Sequence, residues 1–451
     1  MTRLLSPIAH LRALLALGLP LVGSHLAQML LHVVDTVIVG WYGVAELAAV
    51  VIGGSCFFVV FVLGAGFAQA VMPMVAQALG RGDETEVRRA TRMGLWLSIG
   101  CGLIAYPLFW WAEPILLAAG QKPEVAALAR DFLRIAGLGL APALLVMTLK
   151  SYLAALERTQ VVLWLTLGAV FVNGALCYAL VFGHWGAPEL GVRGAGLASA
   201  LVQLLTSAAL ALYAGWLPEL RRFHLFQRFW RPDWHAMGLV FRLGWPIGLT
   251  GLAESGLFQA TALMMGWIGT VQLAAHGIAM QVTALGFMLH LGLSNAATVR
   301  TGRFAGAGDW GNLRRGALVA IAISATVGLA QVALYLSYPE PIVGLFIDHA
   351  NPEAAEIIAF GSLLLAFAAA FQLADAAQVL ALGFLRGVHD TRVPMWIASF
   401  AYWAVGIPTS WFLAFRAGLG GTGLWLGLVI GLLIASALLM WRFWSRVPRP
   451  V

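Results

Sequence analysis

Three carboxylic acids interrupt stretches of this chain that otherwise hold almost nothing polar. They are Asp35 in "LLHVVDTVIVGWYG", Glu254 in "LGWPIGLTGLAESGLF" and Asp375 in "FQLADAAQVLALGFLRG". A charged side chain at the centre of a bilayer costs about 3 kcal/mol on insertion scales, so acids kept there are paired, face water or carry protons. No Lys or Arg lies deep enough in these stretches to be an evident partner. An acid in low dielectric without a cation binds one instead: H⁺, Na⁺ or a cationic substrate. That is the chemistry of ion-coupled antiport. Asn173, in "FVNGALCYA", is the one deep amide in the later helices of the first half. With Asp35 it can offer oxygens to Na⁺ or a hydrogen bond that tunes the acid; the structural alternative is a helix–helix hydrogen bond worth about 1 kcal/mol. Asp35 and Asn173 are thus the candidate Na⁺ ligands, and Asp35, Asn173, Glu254 and Asp375 the candidate coupling residues.

His32 stands one turn before Asp35 on a similar face, as a candidate modulator or as a packing residue. Phe258, Met264, Met265 and Met288 are candidates for the wall of a cavity that accepts flat hydrophobic compounds, with ordinary helix packing as the other reading. Gln28, Gln281, Phe371 and Gln378 complete the candidate cavity residues. No HExxH, P-loop or plausible Ser-His-Asp motif is present, so neither an enzyme nor an ATP-driven pump is expected.

The elements that must carry these residues follow from composition. Of 451 residues, 61% are hydrophobic and 10% charged, whereas a soluble domain is about half apolar and a quarter charged. Apolar runs near the roughly 20 residues needed to span a bilayer recur throughout, and they are continuous rather than alternating, which excludes a β-barrel. Twelve helices are expected, near 13–40, 46–73, 90–112, 127–153, 160–183, 193–216, 238–266, 272–299, 314–338, 357–385, 394–416 and 419–442. The run after Arg12 is too long for a cleavable signal peptide and reads as a first spanning helix. Cys56, Cys101 and Cys177 all fall in apolar segments and have no metal-ligand or disulfide spacing.

Cations set the orientation. Lys122, Arg130, Arg134, Arg193 and Arg416 fall on one side of the expected spans; the rest of the 27, from Arg3 through Lys150 to Arg449, fall on the other. The positive-inside rule then puts both termini in the cytoplasm of a multi-pass inner-membrane protein. The net charge of +7 is accounted for by topology, and no nucleic-acid partner is expected.

The chain also repeats itself. The segment from Leu17, "LGLPLVGSHLAQMLLHVVDTVIVGWYGVAELAA", aligns without a gap with "LGWPIGLTGLAESGLFQATALMMGWIGTVQLAA" from Leu243, at an offset of 226. Pro20 meets Pro246, Gly40–Trp41 meets Gly266–Trp267, Gly43 meets Gly269, and further on Asp83 meets Asp309. Shared hydrophobicity alone would not align these positions. Six helices per half return the chain to its starting side, so the repeat is parallel, as in secondary transporters. The expected architecture is an all-α polytopic membrane protein: twelve transmembrane helices in two pseudo-symmetric six-helix lobes, 1–216 and 238–451, joined by an interfacial linker at 217–237. Within the repeat Asp35 meets Thr261 and Glu254 meets Gln28. The acids are therefore seven residues, about 10 Å, out of register: the halves share a scaffold but not a site.

With these motifs the chain resembles the multidrug and toxic-compound extrusion (MATE) family, in its NorM-like branch. The similarity lies in "GLPL…DTVIVGWYG", "QALGRGD", "LGWPIGL…AESGLF", "AAHGIAMQ" and "ADAAQVLALGFLRGVHDT", in order along nearly the whole chain. The acids of helices 1, 7 and 10 point to the NorM-like branch. The resemblance implies a monomeric antiporter that exports cationic, lipophilic aromatic drugs by alternating access. It is driven by inward Na⁺ or H⁺, needs no other cofactor, and has lipids around it. It also implies that Asp35 and Asn173 form the first-lobe cation or proton site and Glu254 and Asp375 the second-lobe site. Phe371 stands where relatives often carry Tyr, which removes a hydroxyl ligand. Cys177 stands where a second amide or acid is common, and Gly277 replaces a common Gln. A flippase for lipid-linked precursors, from the same superfamily, would favour basic rather than acidic cavity residues. A membrane-embedded enzyme or structural subunit is the remaining alternative.

Overall fold

The computed structural model describes residues 4–348 and 352–448; Arg3 and Arg449, used above for orientation, lie outside the described residues. Among the described residues, twelve helices are long and apolar enough to cross a membrane: α1 (Pro7–Tyr42), α2 (Val44–Arg81), α3 (Glu84–Trp110), α4 (Pro123–Ala155), α5 (Thr159–Phe182), α6 (Val192–Trp216), α7 (Trp234–Ile268), α8 (Thr270–Gly306), α9 (Trp310–Ser337), α10 (Ala354–Gly387), α11 (Arg392–Arg416) and α12 (Gly420–Arg446). No strand occurs among the described residues. The helices outrun the expected spans where the backbone keeps its turns beyond the apolar stretch; α7, for instance, begins at Trp234 and α2 continues to Arg81.

The repeat is written into the backbone. Asp83 caps α3 by accepting the Glu86 N–H at 2.9 Å, and Asp309 caps α9 by accepting the Asn312 N–H at 3.0 Å, which supplies one of the acceptors a helix start lacks. The glycine before each cap is left-handed, Gly82 at φ 73° and Gly308 at φ 70°. The turns after α4 and α10 each hold a non-glycine residue at positive φ, Glu157 at 62° and His389 at 60°.

The chain divides into two compact units. The first lobe is Gly23–Gly248; the second comprises residues through Val22 together with those from Leu249 onward. The units thus differ from the expected lobes in trading the opening turns of α1 and α7, and each helix changes unit two residues beyond its proline, Pro20 or Pro246. Backbone approach is the physical reason. In the first lobe, a Cβ on Gly66 of α2 would come within 2.4 Å of the Gly248 nitrogen. In the second, a Cβ on Gly292 of α8, the repeat mate of Gly66, would come within 2.7 Å of the Val22 nitrogen. Such packing is open only to residues without a side chain.

The segment between α6 and α7 is held on α3 within the first lobe. Arg92 donates to the Gln227 carbonyl at 2.9 Å, Trp96 to the Phe229 carbonyl at 2.9 Å, and Arg89 to Asp233 Oδ2 at 2.5 Å. The Arg89 guanidinium and the Ala236 N–H hold the Asp233 carboxyl below the usual carboxylate range.

In the second lobe, α11 departs from regular helix. Phe400–Gly406 and Phe412–Arg416 are π-helical, separated by a short α-turn. Gly423, Gly427 and Gly431 of α12 form a stripe at four-residue spacing against this segment: a Cβ on Gly427 would lie 2.4 Å from the Ser410 nitrogen, and one on Gly431 would lie 2.9 Å from the Gly406 Cα. The stripe seats the irregular helix, and Tyr402 lies inside its first π segment.

Candidate functional sites in the two lobes

In the first lobe, Asp35 of α1 is gripped by side-chain donors from two other helices. Asn173 of α5 donates through Nδ2 to Oδ1 at 2.5 Å, and Ser199 of α6 donates to Oδ2 at 3.1 Å. The Cys177 thiol, one turn along α5 from Asn173, is a third hydrogen-bond partner. Asn173 is fully buried and its Oδ1 has no hydrogen-bond partner. The expected Asp35–Asn173 pairing is therefore a direct bond. Ser199 was not among the sequence candidates; the signal available was a hydroxyl within the small-residue run "GAGLASA", because small residues mark the close contact faces of membrane helices. His32 is exposed and is not one of Asp35's partners. Gln28 is half-buried two turns before Asp35 on α1.

The same lobe holds a cation where none was expected. Lys150, counted from sequence among the charges outside the membrane, lies within α4 and is only 9% exposed, with its amine 3.5 Å from Ser24 Oγ. Ser24 in turn hydrogen-bonds Thr166 at 3.2 Å. At the C-terminal end of α1 is a cavity of about 390 Å³ lined by Tyr42, Glu46, Asp131, Glu189 and Arg193 among others; Tyr42 donates to Glu189 across it at 3.0 Å. None of the sequence candidates lines this cavity.

In the second lobe, Glu254 of α7 meets two residues of α10. Gln378 donates through Nε2 to Glu254 Oε1 at 3.5 Å, and Asp375, one turn earlier on the same face, adds a second carboxyl to the cluster. The absence of a nearby cation inferred from sequence is corrected here: the Arg386 guanidinium, further along α10, is a charge partner of Glu254. With both acids ionised, the guanidinium offsets one of the two charges. Asp375 Oδ1, Gln378 Oε1 and the Tyr402 hydroxyl are all buried without a hydrogen-bond partner. Trp403, adjacent to Tyr402, donates to the carbonyl of Ala253, adjacent to Glu254, at 3.1 Å. That bond ties the π segment of α11 to α7 at the acid.

Phe258, Met264, Met265 and Phe371 pack in or against the apolar core of the second lobe. Phe371 meets Trp425 edge-on at 5.6 Å and Phe258 at 6.0 Å, and the Trp425 indole donates to His276 Nδ1 at 3.1 Å. Gln281 and Met288 on α8 are half-buried outside that cluster.

Known proteins share this sequence pattern and this fold. The MatE family model matches residues 20–179 and 246–412, two ranges that begin at the prolines paired by the repeat. The chain is 48% identical over 98% of its length to the probable multidrug resistance protein NorM of Rhizobium meliloti (strain 1021), covering 94% of that protein. It is 46% identical over 98% of its length to the corresponding NorM of Agrobacterium fabrum, covering 95% of it. Among solved structures, a MATE crystal structure in the straight conformation superposes with a TM-score of 0.87 at 20% identity, covering 99% of both chains. The eukaryotic MATE transporter AtDTX14 gives 0.85 at 20%, covering 96% of this chain and 95% of that one. These structures show the fold, and the sequence relatives show the kinship. Transport, not enzymatic chemistry, is the work of such proteins, and the chain belongs to the MatE family, in its NorM-like branch.

Proposed function

We propose that the protein is a cation-coupled multidrug antiporter that exports cationic and lipophilic aromatic compounds across a bacterial-type inner membrane by alternating access, with both termini cytoplasmic. Its NorM relatives carry the name multidrug resistance protein. The observation that carries the coupling is the build of the Asp35 centre: an intramembrane carboxylate held by an amide, a hydroxyl and a thiol and, among the described residues, by no cation.

A proton is the ion this centre suits. In the charged state Asp35 accepts from all three groups. On protonation one of its oxygens becomes a donor and needs an acceptor. The buried, unpartnered Oδ1 of Asn173 belongs to the amide already in contact. Turning that amide over would exchange a donated for an accepted hydrogen bond, so uptake of the proton rearranges the α1–α5 contact.

In the second lobe, Glu254 and Asp375 supply the negative charge that draws cations. The free groups there are carboxyl, amide and phenol oxygens, which suit a cation rather than the pyrophosphate of a lipid-linked precursor. The test is ethidium efflux from cells expressing the protein. Asp35→Asn, at equal expression, should abolish it; unimpaired efflux would remove Asp35 from the mechanism.

A further inference from the structure

We propose that the segment joining α6 to α7 is a docking surface for anionic phospholipid, its arginines meeting the headgroup phosphates and its tryptophans the edge of the hydrocarbon. With the termini cytoplasmic, as proposed above, the leaflet concerned is the inner one; the docking itself does not depend on transport.

Three features of the segment converge. The first is how it is held. Helix α3 grips its backbone rather than its side chains: Arg92 donates to the Gln227 and Arg228 carbonyls at 2.9 and 3.4 Å, and Trp96 to the Phe229 carbonyl at 2.9 Å. The segment turns Leu220, Phe223 and Leu225 inward, where they are buried. Arg221, Arg228, Arg231, Phe226 and Trp230 are left on the outside. His224 and Arg228 lie in the left-handed region, at φ 45° and 54°, which non-glycine residues keep only where the surroundings impose it. The outer face is therefore preset rather than loose.

The second feature is depth. The segment leaves α6 at Trp216 and enters α7 at Trp234. These two indoles are 73% and 75% exposed, and Trp230 between them is 72% exposed. Tryptophans at the ends of spanning helices lie at the level of the lipid headgroups, where the ring is half in water and half in hydrocarbon. An exposed group of large apolar side chains rimmed by polar ones marks an interaction surface.

The third feature is charge. The acids of this region are already engaged: Glu219 with Arg158, Asp233 with Arg89, and Glu84 with Arg222 at 3.6 Å. Among the described residues, Arg221, Arg228 and Arg231 have no carboxylate partner. Anionic headgroups supply the missing counter-charge, and each arginine close to a negatively charged leaflet strengthens attachment about fivefold. A nucleic acid or an acidic protein would meet the arginines and leave the tryptophans in water. A lipid surface satisfies both.

The test is binding of acyl-chain-labelled phosphatidylglycerol to purified full-length protein in non-ionic detergent, with labelled phosphatidylcholine as the neutral reference. The wild type should bind phosphatidylglycerol more tightly, and added salt should shrink the preference. Arg228→Gln and Arg231→Gln should each weaken phosphatidylglycerol about fivefold, and the two combined with Arg221→Gln should remove the preference. Trp230→Ala should weaken both lipids alike. Thermal melting confirms that each variant folds. Arg392→Gln is the control, an exposed arginine at the start of α11 in the second lobe. A preference that survives the triple variant overturns the docking surface. So does an Arg392→Gln loss equal to that of Arg228→Gln, which would show only the general pull of a basic face. Displacement of the labelled lipid by equal amounts of the free headgroup, glycerophosphoglycerol, would reveal an anion site without a lipid surface and overturns it as well. Each of these failures leaves the antiport reading standing, because no transport enters the measurement.

Discussion

The two lobes share a backbone plan and differ in what they do with intramembrane acid. In the first, a single carboxylate is surrounded by donors, and one amide oxygen is left over. In the second, two carboxyls share one guanidinium, and three oxygens of different chemistry are left over. The first arrangement centres on one acid and its donors; the second brings together two acids, an amide and a phenol. Asp35 meets Thr261 in the repeat, and Thr261 is a buried hydroxyl bonded back to the Leu257 carbonyl of its own helix. A duplicated scaffold has thus kept its caps, its prolines and its close glycine contacts while its polar interiors diverged. Scaffold positions answer to backbone geometry, which both halves must satisfy, whereas site positions answer only to the ion.

The comparison can be broken or sharpened by mutation. Asp35→Asn should have the largest effect, abolishing drug efflux at equal expression; efflux that persists would mean that the first-lobe acid is not the coupling centre. Arg386→Met leaves Glu254 and Asp375 as unbalanced like charges and should destabilise the protein by about 2–4 kcal/mol, read as a lower melting temperature. Adding Glu254→Gln should recover most of that loss. A double variant no more stable than Arg386→Met would show that the guanidinium serves packing rather than charge balance. Ser199→Ala removes one donor from a carboxylate and should cost about 1–2 kcal/mol, read as a lower melting temperature.

The smallest effect is expected at the connection on α3. The folded protein holds the Asp233 carboxyl below its unfolded value through Arg89, so this contribution is present above the ordinary Asp range near pH 4 and is lost as pH falls through the lower folded value. Arg89 and Asp233 side chains are 36% and 22% exposed, so screening limits the pair to below about 1 kcal/mol. Asp233→Asn should therefore lower the melting temperature slightly at pH 7 and have no effect once the wild-type carboxyl is itself protonated.

Much of the scaffold was legible in the sequence, because bilayer length and the 226-residue offset act on many positions at once. Asp83 and Asp309 could be paired from sequence and do cap the same helix in each half. Asn173 was legible as a lone amide in an apolar helix. Ser199, Arg386 and Tyr402 were not, and each for a physical reason. Ser199 is one small hydroxyl whose role depends on which face of α6 meets α1. Arg386 lies near the end of α10, where a cation normally marks topology; only tertiary packing brings it to Glu254. Tyr402 lies in a π segment, and an i→i+5 turn shifts every later side chain off the face that a 3.6-residue period assigns to it. For Phe371, Met264 and Phe258 composition leaves two readings open. Aromatic and sulfur side chains near an acid suit a drug cavity and an apolar core equally by composition, and in the second lobe they form the core.

The most direct test of proton coupling at Asp35 is ethidium export by purified protein in liposomes, driven by a pH gradient alone. Wild type should respond to the gradient and Asp35→Asn should not, since its proton-responsive contact is gone. Proton-driven export that survives in Asp35→Asn would contradict the account.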